Sequence, residues 1–160
     1  ENTRPFCVRS GEYCLKVYGT EFNLNTYDEE NIEAVLVKGS VGFQANEAAP
    51  EKRLKVNQLG VANSKAGTSV IQDVDVTSYI AWKNHDLIFV NEELESIMKK
   101  VSRWYDVNII FEDEVSKAVR FNGNIPKYAE LEKLLYVMEK TSDVRFRITD
   151  KTIRITKRKK

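Results

Sequence analysis

An α+β fold is expected for this chain, with an all-β first half and a second half of two β-α-β repeats closed by an extra C-terminal strand. Three observations predict it. Short runs of β-branched and aromatic residues alternate with turn residues up to about residue 76. Beyond residue 90 the apolar residues fall at helical spacing. That helical pattern then occurs a second time, 37 residues later. The expected domains are residues 1–80 and 81–160.

The first strand run reaches from Arg4-Pro5 to Arg9, and Ser10-Gly11 reads as a two-residue turn into 13–18. The run 20–27 follows, with Phe22, Leu24 and Thr26 on one face and Glu21, Asn23 and Asn25 on the other. Asp28-Glu29-Glu30-Asn31 is a polar break. Residues 32–37 form the strongest strand pattern, and Lys38-Gly39-Ser40 reads as a turn into 41–45. The stretch 46–52 is polar, contains Pro50 and reads as a loop; 70–76 alternates again. Many short strands without helices fit a small sandwich or a solenoid of stacked turns, and the pattern leaves the two open.

In the second half, Leu94, Ile97, Met98, Val101 and Trp104 make one helical stripe. Asn91 stands where an N-cap belongs, with Glu92 and Glu93 in the first turn, where the helix dipole favours acids. Strands are expected before it at 86–90 and after it at 107–111. The second unit repeats this order: strand 121–125, Pro126 before a helix start, the stripe Leu131, Leu134, Leu135 and Met138, and strand 144–148. A shift of 37 residues maps Leu94, Ile97, Met98 and Val101 onto that second stripe, and Asp106-Val107 onto Asp143-Val144. The units span about 86–111 and 121–148, each expected to pack its helix on its own sheet, with strand 152–156 extending the second.

Hydrophobic residues are 42% and charged residues 31%, a globular mixture. With 25 basic and 24 acidic residues, the net charge of +1 gives no electrostatic reason for a polyanionic partner. No apolar run reaches the length of a membrane span, and no basic leader precedes an apolar segment. A chain that reads as a strand within a few residues of Glu1 suggests a fragment of a longer protein.

Catalytic and cofactor chemistry finds little support. His85 is the one histidine and has no nucleophile elbow to serve. With Cys7 and Cys14 as the only cysteines, the ligands for a structural metal are lacking. Glu112, Asp113 and Glu114 read as a solvated loop rather than a calcium loop or a glycosidase pair. The seven glycines form no phosphate-binding loop. No enzyme activity, cofactor or metal is expected. A carbohydrate-binding or hydrolytic role for 1–76 ranks lowest. Trp104 is expected in the core, while Trp82 is open to an anchoring role.

A nucleic-acid-binding β-α-β-β-α-β module is the alternative reading. Leu87-Ile88-Phe89-Val90 resembles the first-strand motif of RNA-recognition domains. The third-strand motif, however, reads Val119-Arg120-Phe121-Asn122-Gly123-Asn124, with one ring and a displaced glycine. The basic end Lys157-Arg158-Lys159-Lys160 reads mainly as a solvated terminus.

Several segments together resemble FecR-type anti-sigma regulators. Val17-Tyr18-Gly19-Thr20-Glu21-Phe22-Asn23-Leu24 is similar to the family's Gly-Thr-x-Phe-x-Val signature, and Val35-Leu36-Val37-Lys38-Gly39-Ser40-Val41 to its next motif. Tyr79-Ile80-Ala81-Trp82-Lys83-Asn84 resembles the linker segment. Ser102-Arg103-Trp104-Tyr105-Asp106-Val107 and Gly123-Asn124-Ile125-Pro126-Lys127-Tyr128 resemble motifs of the C-terminal domain of Bacteroidetes-type members. Where the family has a Leu-x-Pro-Gly-Gln-like turn, this chain reads Leu54-Lys55-Val56-Asn57-Gln58.

The resemblance implies the periplasmic region of an inner-membrane regulator. It implies a sigma factor as partner only through a cytoplasmic segment, membrane attachment through a transmembrane helix, and no nucleic acid. It also implies contact with the N-terminal signalling domain of a TonB-dependent outer-membrane transporter, which the C-terminal domain itself resembles.

Two expectations follow from hairpin geometry. With Ser10-Gly11 as the turn, Cys7 faces Cys14 at a hydrogen-bonded pair, where Cα atoms lie about 5.5 Å apart. That is compatible with a disulfide in an oxidising periplasm. With Asp150-Lys151 as a turn, Ile148 faces Ile153 and Phe146 faces Ile155 on the core side. On the other side Arg147 opposes Arg154, with Arg145 beside them. Like charges opposed in a sheet are unfavourable, so an acidic partner surface is expected on this hairpin, whose last strand is read as a sheet edge. Arg145, Arg147, Arg154 and Trp82 are the candidate partner-binding residues.

Overall fold

The computed structural model describes residues 6–28, 30–63, 65–126 and 128–158. Arg4-Pro5 of the first strand run, Glu29 of the polar break, Lys127 of the 123–128 motif and Lys159-Lys160 of the basic end lie outside the described residues. The chain divides into two compact units, Glu1–Ile80 and Ala81–Lys160.

The first unit is an antiparallel sheet of β1 (Phe6–Ser10), β2 (Tyr13–Asn25), β3 (Asn31–Gln44), β4 (Lys52–Leu54), β5 (Gln58–Asn63) and β6 (Thr68–Asp73). Its order is β1-β2-β3-β5-β6, and β4 pairs with β3. One edge of β3 serves two partners: β4 opposite Val41–Phe43 and β5 opposite Asn31–Val35. Leu15, Val17, Ile32, Ala34, Leu36, Val41, Phe43, Leu54 and Ala62 are buried together in its core.

The first turn sits one residue later than expected, on Gly11-Glu12. Gly11 has φ +56 at the first central position, the place a two-residue hairpin loop of the II′ kind gives to glycine. This slip re-pairs the strands. Cys7 lies opposite Lys16 and Cys14 opposite Arg9, so the directly facing cysteines of the sequence reading are diagonal neighbours.

The expected turn at Lys38-Gly39-Ser40 is a bend within the continuous strand β3, paired to an irregularity in β2 between Tyr18 and Glu21. Gly19 and Gly39 take positive φ here. A Cβ on Gly39 would stand 2.7 Å from the Gly19 carbonyl oxygen. The Thr20 hydroxyl donates to the Ser40 carbonyl (2.8 Å) and accepts from the Tyr18 N–H (3.2 Å). The Gly-Thr pair thus supplies both the backbone freedom and the polar satisfaction that the bulge requires.

The β4–β5 turn forms without Pro-Gly. The Gln58 N–H donates to the Lys55 carbonyl (3.1 Å), and Asn57 takes φ +66 where the family pattern has glycine. Asparagine tolerates that left-handed position. Strands β4 and β5 were not expected from the sequence.

The first unit ends with α1 (Thr77–Ile80), and the second begins with a 3-10 turn, Ala81–Asn84. The second unit contains β7 (Asp86–Glu93), α2 (Leu94–Tyr105), β8 (Asn108–Phe111), α3 (Glu114–Lys117), β9 (Arg120–Pro126), α4 (Leu131–Lys140), β10 (Val144–Thr149) and β11 (Thr152–Lys157). The repeat extends to the caps. Glu93 and Glu130, 37 apart, are both extended N-cap residues, so Asn91 is not the cap. Instead Asn91 takes φ +49 at a bulge in β7, which continues to Glu93. Ile97, Met98 and Val101 are buried, as are their counterparts Leu134, Leu135 and Met138; Leu94 is fully buried and Leu131 half-buried. The Asp-Val identity does not carry a common conformation, since Asp106 is a left-handed C-cap and Asp143 is not.

Neither helix packs on a sheet of its own. The opening strands of the two units pair with each other, β7 with β9, while the closing strands flank β11 in the order β10-β11-β8. Each unit therefore sends its two strands into different sheets. Both helices share one core with Leu87, Phe89, Phe121, Val144, Ile153 and Ile155, and Trp104 packs half-buried against it.

Candidate interaction site

The hairpin β10–β11 has the pairing read from the sequence: Ile148 opposite Ile153, Phe146 opposite Ile155, and Arg147 opposite Arg154. Asp150, with φ +52, opens its turn. Ile153 and Ile155 are buried and Phe146 is half-buried against the core, whereas Ile148, expected on the core side, is exposed. Arg145, Arg147 and Arg154 are exposed on the opposite face.

Two features differ from expectation. First, β11 is no edge: it lies between antiparallel β10 and parallel β8. The free edge of the hairpin belongs to β10. Second, part of the arginine repulsion is relieved within the domain. The Glu112 carboxylate, just past the end of β8, stands 3.6 Å from the Arg154 guanidinium, with both groups about half exposed. Arg145 and Arg147 form no ion pair among the described residues.

Of the three carboxylates at 112–114, Glu112 and Glu114 are exposed and Asp113 is half-buried, and each has a separate partner. Glu112 faces Arg154, and Glu114 pairs with Lys117 at 2.7 Å. Asp113 N-caps α3 by accepting the Ser116 N–H (2.8 Å), and it accepts the Lys157 N–H (2.7 Å). Desolvation pushes its carboxyl up. The hydrogen bonds from Lys157, Ser116 and Thr156 outweigh that and hold it below the usual carboxylate range. The spacing Asp113-x-x-Ser116 is the signal that would have revealed α3. The basic end is likewise structured as far as Arg158, whose N–H donates to the Asp143 carbonyl (2.7 Å).

The remaining candidates lie elsewhere. Trp82 is 55% exposed in the 3-10 turn that precedes β7, on the side of the two-stranded sheet. His85 is exposed with φ +61 and stacks obliquely on Tyr128, ring centres 5.6 Å apart. The thiols of Cys7 and Cys14 are free, their Sγ atoms 2.8 Å apart. Burial, then the hydrogen bond with Cys7, raises the Cys14 thiol above its ordinary value. Among the described residues no cluster of His, Cys, Asp or Glu could hold a metal ion, and no helix is long and apolar enough to cross a membrane. An RNA-recognition platform needs its strands in one four-stranded sheet; here they are split between two.

The fold and this surface define a two-unit protein whose second unit is an interlocked β-α-β repeat with an arginine-bearing hairpin. Residues 86–155 match the family described as FecR, C-terminal, and the chain is consistent with a FecR-type regulator. Domains of this family are the periplasmic part of membrane regulators. Two crystal structures, each of a candidate anti-sigma factor from Parabacteroides distasonis ATCC 8503, share the fold. They align with TM-scores of 0.83 and 0.81 at 23% identity, covering 99% of this chain and 74% of theirs. No curated relative matches the chain.

Proposed function

We infer that this chain is the periplasmic sensor region of a transmembrane anti-sigma regulator. It receives a signal by protein contact from the N-terminal signalling domain of a TonB-dependent outer-membrane transporter. The signal passes to a sigma factor through a membrane helix and cytoplasmic segment outside this sequence. The match of residues 86–155 to the FecR C-terminal domain carries this reading. The arginine face of the β10–β11 hairpin supports it as a protein-binding surface, with Trp82 as a further candidate contact.

Calorimetry with the signalling domain of a transporter encoded beside the regulator tests the reading. Binding is expected, and it weakens as salt rises because exposed charge contacts are screened. Arg147→Glu with Arg154→Glu is expected to weaken it further while far-UV circular dichroism stays unchanged. No binding to that domain would sink the transporter reading; unchanged affinity in the folded double variant would remove the hairpin face from the contact.

A further inference from the structure

The outer edge of β10 is not bare backbone, and what occupies it is informative. The Arg158 N–H donates to the Asp143 carbonyl (2.7 Å), so the hairpin's hydrogen-bonded pairs fall on 143, 145, 147 and 149. The N–H and C=O groups of Val144, Phe146 and Ile148 therefore point away from β11, toward the free edge. The Ser142 hydroxyl accepts the first of these N–H groups at 3.3 Å. A Glu139 Oε1 from α4 accepts the Phe146 N–H at 2.6 Å. The Ile148 N–H has no partner among the described residues.

The side chains along this edge alternate. Arg145 and Arg147 are exposed on one face; Phe146 is half-buried and Ile148 is 36% exposed on the other. Glu112 stands 3.6 Å from Arg154 on the β8 side, and among the described residues no carboxylate pairs with Arg147 from the β10 side. On that flank the Glu139 carboxylate sits at the Phe146 N–H and forms no ion pair with Arg145 or Arg147, and the Ile148 N–H is left unpaired among the described residues.

We propose that β10 is a docking edge for an extended acidic segment of a partner protein, and that Glu139 guards it. The segment adds as a fourth strand. Its carbonyl replaces the Glu139 carboxylate at the Phe146 N–H, its acidic side chains face Arg145 and Arg147, and its alternate apolar side chains cover Phe146 and Ile148. In the free domain Glu139 supplies a carboxylate in place of the partner's carbonyl and repels stray acidic strands, a form of edge protection. The proposal deepens the protein-contact reading above by naming the edge and the chemistry of the segment.

The test uses the full chain, isotope-labelled, with two synthetic eight-residue probes: one alternating Glu and Val, the other Lys and Val. The Glu/Val peptide is expected to bind and to protect the Phe146 and Ile148 amides from hydrogen exchange. Glu139→Ala, a substitution that favours its helix, is expected to tighten that binding about tenfold by removing a charge-assisted competitor. Arg145→Glu with Arg147→Glu is expected to weaken it at least tenfold in a chain that keeps its amide spectrum. Equal binding of both peptides, protection elsewhere, or no binding even to the Glu139→Ala chain would overturn the proposal. The transporter's signalling domain separates the two readings. If it binds and leaves these amides unprotected, the edge falls and the relay function stands. If the peptide fills the edge but the signalling domain does not bind, the relay function falls and the edge stands.

Discussion

Cys7 and Cys14 lie two residues out of register across the β1–β2 hairpin, yet their sulfur atoms are 2.8 Å apart. Diagonal neighbours on one sheet face are within reach of each other, so the slipped turn preserves the proximity that direct opposition would have given.

A disulfide is expected between them under an oxidising thiol buffer such as oxidised glutathione. The reaction rate should rise with pH, because the raised Cys14 pKa lowers its thiolate fraction near neutrality. Closing so short a loop should stabilise the first unit by roughly 2–3 kcal/mol. Mass spectrometry of the non-reduced, alkylated protein decides it; two alkylated thiols after oxidation would reject the bridge.

Gly39→Ala should cost more than about 2 kcal/mol, read from the urea midpoint. The new methyl would meet the Gly19 carbonyl, and φ +92 strains any side chain. Gly11→Ala, in open space at φ +56, should cost less. Equal costs would mean that the bend in β3 relaxes freely.

Leu94 and Leu131 hold equivalent places in the repeat but unequal depths, one fully buried and the other partly. Leu94→Ala should therefore cost about 2–5 kcal/mol, and Leu131→Ala distinctly less. Urea denaturation of both variants tests the ranking, which would be wrong if the two midpoints shifted together.

Asp113 should contribute to acid sensitivity. Its carboxyl lies below the ordinary range when folded, so its stabilisation is full above the unfolded pKa of about 4 and is lost as pH falls through the lower folded value. Asp113→Asn should lower the stability at neutral pH and flatten the acid limb of the unfolding curve. A variant with an unchanged limb would show that other carboxylates set it.

What was legible in the sequence was whatever depends on near neighbours. The 144–157 hairpin could be read because apolar and charged residues alternate symmetrically about Asp150-Lys151, which fixes both turn and register. The helical stripes could be read for the same reason. Gly11, Gly19 and Gly39 show the limit. Each announces a positive φ, but whether that φ makes a turn or a bulge depends on the strand opposite, which local sequence does not name. Strand β5, with Gly60 in its middle and polar ends, gave no alternation to count. In the site, Glu112 and Glu139 reach Arg154 and Phe146 only through tertiary placement. No spacing rule pointed to either.

The exchange of strands between the two β-α-β units separates the repeat in sequence from the unit of folding. The repeat has a period of 37 residues, yet within the second unit β7 and β8 alone would be one strand of each of its two sheets with no strand pair, and the residues after β8 would pair only as the β10–β11 hairpin. Neither copy is a structure until the other is made. Cooperativity is therefore written into the connectivity: β11 pairs with β8, Thr152 opposite Asn108, so nearly the whole second unit must be made before its three-stranded sheet can close.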